Sequence, residues 1–574
     1  MSRQLNDIIP YSKLADFSYI FKNKIIPIIY INLEAAVKRN EMFVQNCEKA
    51  NNIIKESGFK FNIHRLDAVN ITNSTEKIPP LNSQHLGGRT RAELGGELGC
   101  LVSHIRAIQY AHTLGYENCI ISEDDTDISI LATYLTKFLH TLQYVPRDTG
   151  ILQLVTHGDV YNRVSILRHY TGAGSTAMYL ITKQGIKDVL STLLPNNIIT
   201  FLDARYISDG QVYNSTPTYT TNFPFAQIQC EESSIHPGHC PSHLAAYSRI
   251  AEFRERYNIT RDYVAQRLAN FDTSHFVFKK TSNYLLFTSC GDHSVYSNIC
   301  NSADGWNNNN IDLVIVYYGT SEIIYQKLLT ITPYVIKYKG LKHDNFFLFY
   351  KTFTEIVDLY EYTAIFDDDL MLFDDATIHS LVHYHDFNIK QNSDILLKLF
   401  PMCSASGVNI LGPACGSVEG ISIASSWKIT HRSKINNAHV SNIIEIGSPI
   451  FNNKFLKYLM FIYEYHFEQI PSWGFDLLYS RLLGEFTQET VSDKGVHQLI
   501  FDEFYYLNPT LKFKNIEARE VHSWRGPRWE GVLPRGLYRE ALGPPLMSDE
   551  EAAWNAFADS HNLSRSLPQV RIEK

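Results

Sequence analysis

The sequence predicts an α/β protein with two doubly wound units in tandem, and two observations carry that prediction. One is a strand–helix–strand opening over residues 25–66. The other is a repeated device: an apolar run that ends in carboxylates, at 119–127 and again at 362–369. In open α/β sheets the C-terminal ends of the strands are where ligands bind. Length agrees, since 574 residues exceed one core and single cores rarely grow past about 250–300 residues.

Residues 25–33 are apolar almost throughout and read as a buried strand with Asn32 at its exit. A helix is expected over 37–57, because Phe43, Cys47, Ala50 and Ile54 recur at helical spacing and Gly58 stops it. Residues 59–66 form the next strand, with Asp67 and Asn70 at its end. The Gly-rich stretch 86–96 is a loop that feeds a helix over 97–114, closed by Gly115. Leu98, Leu101, Ile105 and Ile108 make its apolar stripe, and Glu97, Cys100 and His104 share another face. Glu97 also suits a helix N-terminus by charge alone.

The first acidic strand follows, ending in Glu123, Asp124, Asp125 and Asp127. Two like charges about 4 Å apart cost roughly 1 kcal/mol in water and about 4 kcal/mol at an effective dielectric of 20. A hard, oxygen-liganded cation such as Mg²⁺ or Mn²⁺ removes that cost. The alternative is a solvated acidic turn.

A charged helix is expected over 251–270, then an irregular stretch to 310 with the Asn307–Asn310 run as linker. A new strand starts at Ile311. Lys337, Lys339 and Lys342 form a small basic patch, and a helix over 345–358 leads into Asp367, Asp368 and Asp369. Residues 445–451 read as strand to loop, followed by an aromatic helix to about 470. Pro471–Asp476 opens another helix. Asp476 there is either a favourable helix-start charge or a general base, with Trp473 stacking on a sugar ring. His497 either closes that site or is structural. Trp524, Arg525, Arg528, Trp529 and Arg535 in the tail are expected to dock onto the body, and 548–570 reads as a polar helix.

Net charge is −8, which gives no electrostatic case for nucleic acid. Nine cysteines lack zinc-like spacing; Cys230 and Cys240 flank His236 and His239 without a second cysteine pair. Apolar runs at 25–31 and 455–463 fall far short of the ~20 residues of a membrane span. The N-terminus lacks the apolar core of a signal peptide. The expectation is a cytoplasmic protein with no transmembrane segment, touching a membrane only peripherally through its substrate. No phosphate loop ending in Gly-Lys-Ser/Thr is present.

Asn32-Leu33 with Arg39, then Arg65-Leu66-Asp67-Ala68-Val69, then Gly96-Glu97-Leu98-Gly99-Cys100-Leu101-Val102-Ser103-His104, then Ser122-Glu123-Asp124-Asp125 resembles the family 25 glycosyltransferases, which include lipopolysaccharide and collagen galactosyltransferases. The resemblance spans roughly 24–240. It implies a GT-A fold, a UDP-sugar donor, a divalent metal (Mn²⁺ or Mg²⁺) and inversion. It implies donor-site roles for Asn32, Arg39, Glu97 and His104. The metal group would come from Glu123, Asp124, Asp125 and Asp127, with Asp124/Asp125 or Asp125/Asp127 as the pair. Asp209, before a strand-like 211–213, falls where the family places an acid near the acceptor; Asp203 is its rival. Thr182 would cap the helix after a small-residue strand, and 216–229 resembles the family's closing segment. Thr126 departs from the pattern, which has a hydrophobic residue there.

Gly340-x-Lys342, Asp367-Asp368-Asp369, Glu445-x-x-x-Pro449-x-Phe451 and Trp473-Gly474-x-Asp476 are similar to a domain family of unassigned activity grouped with GT-A enzymes, over about 310–515. The last piece also resembles β-1,4-galactosyltransferases. This implies metal ligands among Asp367, Asp368, Asp369 and His497, donor contacts from Lys342 and Trp473, and Asp476 as base.

The expected architecture is therefore two tandem GT-A-like (Rossmann-like) glycosyltransferase domains. They would occupy 21–250 and 309–520, with an N-terminal extension (1–20), a helical connector and linker (251–308) and a C-terminal tail (521–574). The expected function is a bifunctional metal-dependent transferase moving galactose or glucose to a glycan or glycoconjugate acceptor. One catalytic domain plus a non-catalytic sugar- or acceptor-binding domain is the first alternative, and a metal-dependent nucleotidyltransferase the second.

Overall fold

The computed structural model describes residues 8–71, 77–86, 94–158, 160–161, 163–170, 173–203, 208–229, 240–292, 310–368, 370–376, 389–407, 409–415, 432, 437–471, 474–484, 498–507, 545–561, 563–565 and 571–573. It divides into two compact units, Met1–Asn258 and Ile259–Lys574. Both are mixed α/β. Among the described residues no helix is long and apolar enough to cross a membrane.

In the first unit, β1 (Ile25–Asn32), α1 (Val37–Ile54), β2 (Lys60–Asp67), α2 (Gly95–Thr113) and β3 (Asn118–Glu123) form the opening. β4 (Ile151–Gln153), β5 (Leu167–Arg168), β6 (Met178–Thr182), α3 (Lys183–Leu193), α4 (Asp209–Asn214) and β7 (Thr218–Thr220) follow. The sheet order is β2-β1-β3-β6-β4-β7-β5. β1 runs parallel to both β2 and β3, while β6 is antiparallel to β3. The register pairs Asn32 with Asp67 and Ile31 with Glu123, so three strand exits share one edge.

The apolar stripe of α2 explains its position. Leu98, Leu101, Ile105 and Ile108 are fully buried against Ile29, Ile31, Cys119 and Ile121. Full burial of such a side chain contributes roughly 1.5–3 kcal/mol. Gly99 permits the close approach of this helix to the chain after β2, because a Cβ there would sit 2.6 Å from the Val69 carbonyl. α1 buries the expected Phe43, Cys47, Ala50 and Ile54. A 3-10 turn (Lys55–Ser57) then ends at Gly58, whose φ of 76° is the left-handed conformation glycine favours. Thr182 caps α3 by accepting from Gly185 N at 3.2 Å.

Helix α5 (Cys240–Ala269) runs across the division between the units. The second unit contains β8 (Tyr284–Cys290), β9 (Asp312–Tyr317), α6 (Glu322–Ile331), β10 (Val335–Lys337), α7 (Lys342–Thr352), β11 (Tyr362–Asp367), β12 (Met371–Asp374) and α8 (Ile389–Ser406). It continues with β13 (Ile410–Cys415), β14 (Ala438–Ser441), β15 (Ile450–Asn452), α9 (Asn453–Glu464), α10 (Phe475–Leu483), β16 (Gln498–Leu507), α11 (Pro545–Ser560) and β17 (Arg571–Glu573). The sheet order is β10-β9-β8-β11-β15-β13-β16-β14-β17, with β12 on β16. β10, β9, β8 and β11 are mutually parallel neighbours.

Three expectations need correction. The stretch assigned to a connector, 251–308, holds β8, which pairs with both β9 and β11 inside the sheet. Its residues are buried on both faces, so it lacks the alternation that marks a half-exposed strand. Residues 211–213 are helical, not extended: α4 buries Gly210, Gln211, Val212 and Tyr213 on every side, which erases periodicity. The aromatic helix α9 stops at Glu464, short of 470.

Candidate active site

The exit of β1 meets the exit of β3. Asn32 Nδ2 donates to Asp124 Oδ2 at 2.6 Å and to the Ala36 carbonyl at 3.3 Å, while its Oδ1 accepts from Arg65 Nε at 3.1 Å. Arg39, from the first turn of α1, lies 3.4 Å from Asp124 Oδ1. Both oxygens of Asp124 are therefore engaged. Burial pushes its pKa up, with Asn32 and Arg39 pulling the other way.

Asp125 differs. Its Oδ1 is buried and has no hydrogen-bond partner among the described residues. Burial, then repulsion from Glu123 and Asp124, pushes its pKa up to about 8. Asp127 Oδ1 accepts from Ser129 N at 2.9 Å, an Asx-type contact at a helix start. An orphaned buried carboxylate oxygen among neighbouring acids is a donor set that fits a hard divalent cation. Asp124 is taken up by Asn32 and Arg39, which leaves Asp125 with the unpartnered oxygen of this turn.

Glu123 points to α2. Its Oε1 accepts from Thr176 Oγ1 at 2.7 Å and lies 3.3 Å from His104 Nε2. The other ring nitrogen of His104 is 3.0 Å from Tyr179 Oη. Burial works to raise Glu123, but the His104 and Thr176 contacts outweigh it and hold its pKa below the ordinary value. Cys100 lies one helical turn before His104, with Sγ 3.9 Å from Thr176 Oγ1.

Asp209, at the start of α4, approaches the same cluster. Its Oδ1 accepts from Gly210 N at 2.8 Å, and its Oδ2 lies 2.9 Å from where a Gly174 Cβ would be. Glycine at 174 therefore makes room for that carboxylate. Burial raises the Asp209 pKa, backbone hydrogen bonds including one from Ser175 oppose it, and Glu97 adds to the rise. Ser175 has φ of 128°, a conformation a serine adopts at a cost of about 1–3 kcal/mol. Gln153 Nε2 and Tyr213 Oη hold its carbonyl at 2.8 and 2.7 Å. Asp203, the rival, is exposed and accepts from Asn82 Nδ2 at 2.9 Å.

In the second unit, Lys342 Nζ reaches Asp367 Oδ1 at 2.6 Å, the Ile446 carbonyl at 2.6 Å and the Ile365 carbonyl at 3.4 Å. Gly291 N donates to Asp368 Oδ2 at 3.4 Å. Tyr506 Oη donates to Glu445, and Tyr479 Oη to the Ile444 carbonyl. Asp476 is buried in the first turn of α10 behind Gly474, and burial with repulsion from Glu445 pushes its pKa up to about 7. The charges of Asp476, Glu445 and Asp367 all act on Tyr479, which brings these three acids into one neighbourhood. Asp369, Trp473, His497 and the Trp/Arg tail lie outside the described residues.

Residues 25–203 match the model of glycosyltransferase family 25, described as an LPS biosynthesis protein family. The match lies wholly within the first unit. A crystal structure of the glycosyltransferase GlyE from Streptococcus pneumoniae TIGR4 aligns at 10% identity over 58% of this chain and 83% of its own, with a TM-score of 0.18. No curated protein matches the chain.

The family 25 stretch takes in Asn32, Arg39, Glu97, His104 and the acids from Glu123 to Asp127, and ends just before α4 and Asp209. The second unit lies wholly outside it. Gly174 and Ser175 lie against Asp209, Thr176 against Glu123 and Tyr179 against His104; the sequence marks 172–181 as a small-residue strand and gives these four no role of their own. Their only signal was the small-residue run before β6.

Proposed function

We propose that the chain transfers a hexose, galactose or glucose, from a UDP-sugar to a glycan or glycoconjugate acceptor at the β1/β3 edge of the first unit. The observation that carries this is Asp125: a buried, unpartnered carboxylate oxygen within the family 25 stretch. Asp125, paired with Asp124 or with Asp127, would hold Mn²⁺ or Mg²⁺. Bound there, the cation supplies charge stabilisation for the departing nucleoside diphosphate. Asn32 and Arg39 fix Asp124 and so the turn that presents Asp125.

Asp209 is the proposed general base. Its raised pKa brings it toward the range where a carboxylate accepts a proton from an acceptor hydroxyl efficiently. In-line attack by that hydroxyl breaks the bond from the anomeric carbon to the UDP oxygen, inverts the carbon and leaves the proton on Asp209. A GT-A arrangement of the unit belongs to this reading.

For the second unit the proposal is a further sugar-nucleotide site of the same class, with Asp476 as base. The Lys342–Asp367 contact favours the other reading, a non-catalytic sugar- or acceptor-binding module, because that acid already has its counter-charge.

The test is UDP release from a panel of UDP-sugars, with Mn²⁺ and with chelator. Mn²⁺-dependent release that Asp125→Ala abolishes supports the reading. Pyrophosphate release from a nucleoside triphosphate instead would assign a nucleotidyltransferase. Residual release in Asp125→Ala that Asp367→Ala or Asp476→Asn removes would make the chain bifunctional.

A further inference from the structure

Among the described residues one group of metal-ligating side chains stands apart from Asp125 and Asp127. The ligand atoms of Cys100, His104 and Glu123 all lie within 4.8 Å of one another. We infer that these three side chains form a binding site for a thiophilic divalent cation of the Zn²⁺ class, separate from the hard-cation site.

The ligand chemistry supports this assignment. Thiolate and imidazole select Zn²⁺ over Mg²⁺ or Mn²⁺, whereas an all-carboxylate set does the reverse. In a tetrahedral zinc site, bond lengths near 2.0–2.2 Å to nitrogen and oxygen put those two ligands about 3.4 Å apart. His104 Nε2 and Glu123 Oε1 are 3.3 Å apart. Cys100 and His104 are four residues apart on α2, so both point to one side of the helix.

The surroundings also fit. A ligating histidine usually gives its other ring nitrogen to an oxygen that fixes ring and tautomer. Tyr179 Oη does this for His104 at 3.0 Å, with the rings packed at 5.7 Å. Thr176 Oγ1 orients Glu123 at 2.7 Å and stands 3.9 Å from Cys100 Sγ. Glu123 is 24% exposed, so a cation reaches the site from solvent. Three protein ligands would leave the fourth position of a tetrahedral ion to water or substrate, as in reactive rather than structural zinc.

The experiment uses the full chain, stripped with chelator and titrated with Co²⁺ as a spectroscopic substitute. The expected result is tetrahedral d–d absorption with a thiolate-to-cobalt charge-transfer band, displaced by Zn²⁺. Cys100→Ser should lose that band, and Cys47→Ser should keep it. Tyr179→Phe should weaken binding about 10–100-fold, the usual cost of losing such an orienting contact. Mn²⁺ binding followed by electron paramagnetic resonance should survive Cys100→Ser and be lost in Asp125→Asn. A readout that needs no variant is protection of Cys100 by Zn²⁺ against alkylation, mapped by mass spectrometry. Absence of the charge-transfer band, its persistence in Cys100→Ser, or alkylation of Cys100 at an unchanged rate in saturating Zn²⁺ would each overturn the assignment.

Discussion

Asn32 Nδ2 donates to Asp124 Oδ2 at 2.6 Å, joining two strand exits 92 residues apart in the chain. Arg65 holds the other end of the same amide. Asn32 is 1% exposed, so no water replaces a lost partner. Asn32→Ala leaves the buried Asp124 carboxylate oxygen short of a bond, while Arg65, 38% exposed, can turn to water. The expected loss is about 1–3 kcal/mol, read by urea denaturation of the first unit's transition. UDP release should fall with it. Unchanged stability would mean the network does not hold the two strand ends.

Asp125 predicts a metal-dependent shift. A ligand that binds only the folded state at 100 times its Kd adds about 2.7 kcal/mol. Wild type should therefore melt higher in excess Mn²⁺ than in chelator. Asp125→Asn keeps the shape and removes the charge, so its melting temperature should be indifferent to Mn²⁺. A full Mn²⁺ shift retained in Asp125→Asn would move the hard-cation site elsewhere.

Asp344 predicts a pH dependence for the second unit. It is 4% exposed and accepts from Tyr463 Oη. Burial pushes its pKa up to about 7, with the Tyr463 bond, the Glu468 charge and the Arg267 charge as smaller influences. The facing His343 is held neutral, its pKa lowered by burial to about 3. A raised carboxyl binds its proton more tightly folded than unfolded. Between the ordinary value of 3.8 and about 7 the folded state thus holds more protons, and stability falls as pH rises through that window. The loss is at most about 4 kcal/mol at 1.36 kcal/mol per pKa unit. Asp344→Asn, whose Oδ1 still accepts from Tyr463, should reduce the fall in stability between pH 5 and pH 7, while Asp476, also raised to about 7, keeps its own share. An equally steep profile in the variant would assign the slope to another group.

The parts of this site that lie close together in sequence were legible. The α2 stripe, the shared face of Cys100 and His104, the exit position of Asn32 and the acids after β3 all follow from periodicity and local order. What escaped depends on distant chain returning to the same edge. Thr176 reaches Glu123 across 53 residues and Tyr179 reaches His104 across 75, and neither carries a local motif. The sequence reads α4 as a strand because the helix is short and buried all round. β8 is hidden in the sequence for the same reason: a strand enclosed on both faces has no alternation to read. Glu445 and Asp476 were singled out one by one, but their mutual repulsion appears only once β15 and α10 bring their loops together.

Lys342 predicts what separates the two units. Its Nζ makes short contacts with Asp367 Oδ1 and the Ile446 carbonyl, and its side chain is 12% exposed. Asp367 is more open at 40%, so the pair lies between a surface bridge worth about 0–1 kcal/mol and a buried one whose breaking costs about 3–5 kcal/mol. Lys342→Met keeps the stem and deletes the charge; the expected loss is about 1–3 kcal/mol, largest at low salt because screening weakens the native pair. With the ammonium in place Asp367 has its counter-charge, so Asp367→Asn in the wild-type background should leave Mn²⁺ stoichiometry unchanged. Removing Lys342 leaves Asp367 beside Asp368 and Glu445 without it, and Lys342→Met should gain weak Mn²⁺ binding that Asp367→Asn then abolishes. A wild-type stoichiometry of two, reduced to one by Asp367→Asn, would refute the role given to Lys342 and return the second unit to a metal-dependent transferase.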